Sequence, residues 1–311
     1  MSLWTSIIFL VLISLWRITS GEWDINLPEV FYLLINGGES YKALVIRAVR
    51  LPRLLCSIGT GGLLSVSGVI LQGLLANPLS EPYTLGIASG AAFGASLGIL
   101  AGNFFIMPCA LAGALIALAL TGIIAMKSGN NAIILAGVIS NAILSAGVTF
   151  LKSISGDKLG SIVLWLMGSF SGAGFNDVHA IFFGVILVIV PAYVLAPLLD
   201  AMSLGHDRAA VVGVNENFVR IILLLTTSAG TALAVSSFGV IGFVGLAVPH
   251  ISRNLTGAAH RKLIIHAFFV GACLMTLADG LAQKLGELPA GVITALSGGP
   301  FFCWLLAKKK S

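Results

Sequence analysis

Charge is what this chain has least of. Of 311 residues only 9% are Asp, Glu, Lys or Arg, against roughly 25% in an ordinary soluble domain. So thin a polar surface excludes a soluble enzyme and a disordered chain. The net charge of +5 comes from 17 Lys+Arg against 12 Asp+Glu, which is too sparse for a nucleic-acid surface and normal for a membrane protein with basic loops. Four cysteines, Cys56, Cys109, Cys273 and Cys303, lie far apart in apolar stretches without a Cys-x-x-Cys pair. They read as small core residues, not metal ligands or disulfides. There is no Gly-x-x-x-x-Gly-Lys-[Ser/Thr] loop, no His-Glu-x-x-His and no Gly-x-Ser-x-Gly, so nucleotide binding through that loop, zinc ligation and hydrolase chemistry lack their usual residues. No catalytic, cofactor or metal residue is assigned in this chain. What is abundant is hydrocarbon: 58% of residues are apolar and mean hydropathy is +1.04. The expectation is an all-α, polytopic membrane protein in a single transmembrane domain over 1–311.

The few charges divide the chain into lengths comparable with a bilayer, where a helix needs about 20 apolar residues. Residues 1–16 carry none and read as a retained first span, because no Lys or Arg precedes them and Thr19-Ser20-Gly21 is a poor cleavage site. The polar stretch 21–53 reads as an exposed connection with a short interfacial helix around Pro28–Leu34. Uncharged runs follow at 54–80, 82–126, 128–151, 159–176, 178–199, 221–252, 263–278 and 288–307. The run 82–126 holds two helices with a turn at Gly102-Asn103 and Pro108, and 221–252 holds two short ones broken at Ser236–Gly239. The Gly/Ser-rich run 159–176 suits a re-entrant or interfacial helix. Ten spans result, with both termini on the side of Lys308-Lys309-Lys310, the cytoplasmic side. Nine Lys+Arg then fall inside and eight outside, a bias spoiled by the compact trio Arg47, Arg50 and Arg53.

Gly86, Gly90, Gly94, Gly98 and Gly102 recur every four residues, forming a slowly winding stripe on which a neighbouring backbone can lie closely. Packing within the subunit is favoured over a dimerisation face. Gly68-Val69-Ile70 before Pro78 has a weak echo in Gly239-Val240-Ile241 before Pro249. Among ionisable groups within apolar stretches, Asp279 and Glu287 stand out, and their expected place is the outer interface, capping helix ends. The segment from Leu204 to Val214, between Asp200 and Arg220, is too charged to span and regular enough for one or two short helices, either as a solvated turn or as a rigid element pressed on a soluble partner.

These pieces together resemble the FecCD-type permeases of ABC importers, the class that moves iron-siderophores, haem and cobalamin. The likeness runs through Arg50-Leu51-Pro52-Arg53, Ser67-Gly68 with Gln72, Asn77-Pro78-Leu79-Ser80-Glu81-Pro82, Leu85-Gly86, Leu135-Ala136-Gly137 with Asn141, Trp165-Leu166-Met167-Gly168, and Leu204-Gly205 with Ala209 and Gly213-Val214. It is strongest in Gly242–Arg253, Ala278-Asp279, Glu287-Leu288-Pro289-Ala290-Gly291 and Gly299-Pro300-Phe301-Phe302.

The resemblance implies a type II importer permease fold of ten helices. It implies a homodimer in the cytoplasmic (inner) membrane, two ATPase subunits carrying ATP and Mg, and a periplasmic or lipid-anchored substrate-binding protein. By that resemblance Arg50 and Arg53 dock the binding protein. Lys284 stands near the family's docking Arg, where this chain has Gln283-Lys284. A coupling segment at about 200–216 (Leu204, Gly205, His206, Asp207, Arg208, Ala209, Gly213, Val214) meets the ATPase, with Val212 replacing a usual Leu. Asn77, Pro78 and Leu79 close the cytoplasmic end. Asn141 is either a pathway-lining residue or a buried interhelical hydrogen bond. The implied cargo is a metal chelate, an iron-siderophore first, with haem, cobalamin or an oxyanion as alternatives. An ion-coupled secondary transporter using Asp279, Glu287 or His250 is the competing class.

Overall fold

The computed structural model describes residues 3–21, 25–36, 40–102, 105–125, 130–203 and 215–308. Every regular element among them is helical: α1 (Leu3–Thr19), α2 (Leu27–Asn36), α3 (Tyr41–Leu44), α4 (Leu51–Leu74), α5 (Ile87–Leu100), α6 (Ile106–Ala125), α7 (Asn130–Ile154), α8 (Leu159–Leu166), α9 (Phe175–Ser203), α10 (Glu216–Phe238), α11 (Val244–Thr256), α12 (His260–Lys284) and α13 (Ala290–Lys308). Setting aside α2, α3 and α8, ten helices occupy the ten expected spans. The break in 82–126 falls after Leu100 and that in 221–252 after Phe238. The short helix expected near Pro28–Leu34 is α2.

One boundary differs. The polar connection does not extend to residue 53, because α3 runs through a π-helical turn, Val45–Arg50, directly into α4. Tyr41–Leu74 is thus one continuous apolar helix that begins with four cations.

Helix α4 is the axis of the bundle, buried on nearly every side. A helix apolar all round belongs inside a helical bundle, and α4 packs against α12, α9, α11 and α10. Small residues permit the approach: a Cβ on Gly61 would meet the Gly271 carbonyl of α12, and a Cβ on Gly68 would meet the Gly245 carbonyl of α11. In lipid, where apolar contact between helices gains little over contact with acyl chains, such close backbone approach is the main source of association. The glycine stripe works in the same way. Gly90 and Gly94 of α5 leave no room for a Cβ against Gly113 and Cys109 of α6, and Gly98 lies against Ile106. Gly86 (φ +83°) lies just before α5, and a Cβ on it would come within 3.1 Å of the Ser140 Cβ. Gly102 departs from the stripe: it is a left-handed turn residue (φ +116°) with open space around it.

Candidate functional site

Two ends of the bundle gather its polar groups, and the two ends of α12 mark them: an Asp279 end and a His260 end. At the Asp279 end, Arg47, Arg50 and Arg53 each fasten a different helix to α4. The Arg47 guanidinium donates to the Leu34 carbonyl of α2 at 2.9 Å. Arg50 donates to the Ile18 and Thr19 carbonyls at 2.9 and 3.1 Å, placing a cation on the carbonyl-rich C-terminus of α1, where the helix dipole favours it. Arg53 grips Asp279 of α12 through Nε at 3.1 Å to both carboxylate oxygens and through a terminal nitrogen at 3.0 Å to Oδ1. The charge bias that the trio spoiled is thus accounted for within the subunit. Arg50 and Arg53, singled out for docking, are only 8% and 5% exposed.

Asp279 does not cap a helix end, as the sequence suggested; it lies within α12, and its partners are arginine side chains. It is fully buried and held from a second side by Arg17 of α1, whose Nε and terminal nitrogen lie 3.2 and 2.7 Å from Oδ2. The other terminal nitrogen of Arg17 donates to Gln283. Arg17 was missed by sequence reasoning. A signal existed: a cation directly after one uncharged run (1–16) and a carboxylate directly after another (263–278).

Glu287 completes the group, its carboxylate 2.8 Å from the remaining Arg53 nitrogen, with its side chain 44% exposed. Two guanidiniums therefore face two carboxylates. Beside them opens a cleft of about 510 Å³, lined among others by Trp16, Arg17, Gln283, Lys284 and Glu287. The Lys284 ammonium rests 5.1 Å above the centre of the Trp16 ring, an attraction between cation and ring face.

At the His260 end, the Asn77-Pro78-Leu79 loop is a tight turn in which the Leu79 N–H donates to Asn77 Oδ1 at 2.9 Å, and Leu79 is exposed. It borders a cleft of about 260 Å³ together with Gln72, Ser203, Arg253 and His260. Gln72 bridges α4 to α11, donating to the Leu246 carbonyl at 3.4 Å and accepting from Arg253 at 3.5 Å. The segment Leu204, Gly205, His206, Asp207, Arg208, Ala209, Gly213 and Val214 lies outside the described residues. Both its flanks are fixed: Asp200 of α9 holds the His260 N–H at 3.0 Å and its Nδ1 at 2.5 Å, and Asn215 caps α10 by accepting from the Phe218 N–H at 3.1 Å.

Between the ends, Asn141 of α7 makes interhelical hydrogen bonds. Its amide donates to the Tyr83 carbonyl at 3.0 Å and its oxygen accepts from Ser89 of α5 at 2.7 Å. Tyr83, also missed in the sequence, clamps the connection between α10 and α11. Its hydroxyl donates to the Ile241 carbonyl at 2.7 Å and accepts from the Ile241 N–H at 3.1 Å. Nearby in the connection between α4 and α5, burial pushes the Glu81 carboxyl up to about 7, and one of its oxygens is buried with no hydrogen-bond partner among the described residues. Among the described residues, no group of three or more His, Cys, Asp and Glu could hold a metal ion.

The arrangement is that of a scaffold with a polar recess at each end. The model of the FecCD transport family matches residues 7–308. A probable iron chelatin transport system permease protein of Helicobacter pylori is 35% identical over 297 residues, 93% of this chain and 90% of that one. The hemin transport system permease protein HmuU of Yersinia pestis is 39% identical over 278 residues, 84% and 83% of the two chains. A solved structure of an ABC transporter in an inward-facing conformation, described as of the metal-chelate type, superimposes with a TM-score of 0.89 at 33% identity, covering 98% of both chains. Matched to that family over nearly its whole length and to that fold from end to end, this chain is a member of the FecCD transport family, an ABC importer permease.

Proposed function

We propose that this permease carries a metal chelate, most favourably an iron-siderophore, inward across the cytoplasmic membrane. It works as a homodimer with two separate ATPase subunits and a periplasmic or lipid-anchored substrate-binding protein. The Asp279 end faces outward and receives the binding protein near Lys284, Arg50 and Arg53. The His260 end and both termini face the cytoplasm, where Leu204–Val214 meets the ATPase and Asn77, Pro78 and Leu79 border the exit. ATP and Mg act on the partner chain, and their turnover shifts the balance between outward- and inward-open forms.

The observation that carries this reading is the full-length superposition on a metal-chelate type transporter. The pairing at the Asp279 end adds support. A secondary carrier built on Asp279 and Glu287 would need carboxylates free to take up protons, and both are engaged by guanidiniums. The test is uptake of ferric siderophore into proteoliposomes holding the permease, its ATPase and its binding protein. Uptake should require ATP and stop with vanadate, and it should survive a protonophore. Uptake without ATP that collapses with the proton gradient would establish the secondary carrier instead.

A further inference from the structure

The four charged groups at the Asp279 end are not equally fixed. Asp279 is fully buried and takes hydrogen bonds from both arginines, so it cannot leave without depriving Arg17 of its carboxylate and leaving Arg53 with Glu287 alone. The Glu287 carboxylate is held by one nitrogen of Arg53, and its side chain is 44% exposed while that of Arg53 is 6% exposed. Its backbone is also in the left-handed region, φ +58°, directly after Gly286 at φ +94°. Glycine and asparagine occupy that region readily, whereas a longer side chain does so at a cost. Glu287 thus covers the solvent side of an otherwise buried guanidinium, on a short connection that already resists its own conformation.

That carboxylate is also part of the wall of the cleft it shares with Arg17 and Lys284. If it swung aside, the cleft would open onto an Arg53 nitrogen and become a recess with three cations and, among the described residues of its lining, no other carboxylate. A carboxylate from outside would find there the same guanidinium that Glu287 now holds.

We propose that Glu287 is an exchangeable counter-ion. A carboxylate on the docking protein replaces it on Arg53, and docking therefore displaces the connection between α12 and α13. This rests on the reading that a binding protein docks at the Asp279 end. The consequence reaches further into the bundle, because that connection leads directly into α13, whose Gly291 N–H donates to the Gly168 carbonyl at 3.1 Å and whose Gly291 leaves no room for a Cβ against the Met167 and Val240 carbonyls. Movement of Glu287 therefore pulls on the turn after α8 and the entry to α11.

The test is binding of the fluorescently labelled cognate binding protein to the complete permease–ATPase complex in nanodiscs, for wild type, Glu287→Gln and Glu29→Gln. Glu29 pairs with Lys42 at an exposed position, so its variant removes the same charge from another place. Glu287→Gln should bind about tenfold more tightly and with steeper salt dependence, and Glu29→Gln should match wild type. Should the Gln variant assemble poorly, Glu287→Asn removes the charge while suiting the left-handed backbone, and the same tightening is expected. Equal or weaker binding by the charge-removed variants, with wild type binding normally, overturns the exchange alone. Wild type failing to bind overturns the docking reading and the exchange with it.

Discussion

Asp279→Asn is the sharpest perturbation of this structure. The carboxylate accepts from Arg53 through Nε and a terminal nitrogen and from Arg17 through two nitrogens, at 2.7–3.2 Å. An amide of the same shape keeps one acceptor and turns an NH2 group toward guanidinium N–H donors. The charge balance changes too: Arg17 and Arg53 would face Glu287 alone. Breaking a buried pair by removing one partner costs about 3–5 kcal/mol. At about 2.1 cal/mol/K of unfolding entropy per residue, a chain of this length shifts by roughly 1.5 °C per kcal/mol, so thermal unfolding in detergent should fall by about 5–8 °C. Adding Arg17→Met to Asp279→Asn restores neutrality, with Arg53 facing Glu287, so the double variant should unfold at a higher temperature than Asp279→Asn alone. The assay is monodispersity on size exclusion after heating in steps. A single variant within about 1 °C of wild type, or a double variant less stable than the single, would refute the assignment of Asp279 as the anion binding both arginines.

Two further outcomes are expected. Tyr83→Phe removes a hydroxyl that both donates to and accepts from Ile241; leaving those backbone groups unpaired should cost about 1–3 kcal/mol, read as a lower unfolding temperature with the helical circular dichroism unchanged. Burial pushes the Glu81 carboxyl up to about 7 from an ordinary value of 4.5. Its folded-state value is raised, so the protonated form favours folding; that contribution is full below about 4.5 and lost as pH rises to about 7. It amounts to roughly 3 kcal/mol at most. Glu81→Gln should abolish this part of the pH dependence, so an unchanged slope of unfolding temperature against pH in the variant would refute the assignment.

The spans were legible because a bilayer demands long uncharged lengths, and the charges that bound them are visible in one dimension. The turn near Gly102 and the break after Phe238 follow directly from that reading. The start of α4 was not legible, since Lys42, Arg47, Arg50 and Arg53 look like solvent-facing charge. The burial of the arginines depends on partners elsewhere: Arg53 meets a residue 226 positions away and Arg17 one 262 positions away, separations that no local period encodes. Asp279 and Glu287 were noticed as ionisable groups, yet only the fold brings them to the arginines. Asn141 was left between two roles, and the structure places it in hydrogen bonds to Tyr83 and Ser89. Tyr83 gave no signal, because one hydroxyl in an apolar stretch resembles any core aromatic.

The bond between Arg17 and Asp279 also sets an order for biogenesis. The helix bearing the cation is made early and the one bearing the anion near the end, 262 residues later. At 5–20 residues per second the ribosome takes roughly 10–50 s to cover that distance. For that interval α1 sits in the membrane with a cation whose final counter-charge has not yet been synthesised. The arrival of α12 closes the bundle at that end, so a chain cut short before Asp279 should leave Arg17 without its carboxylate and α1 held there by Arg50, more open to proteolysis, a built-in check that the permease has been made through its penultimate long helix.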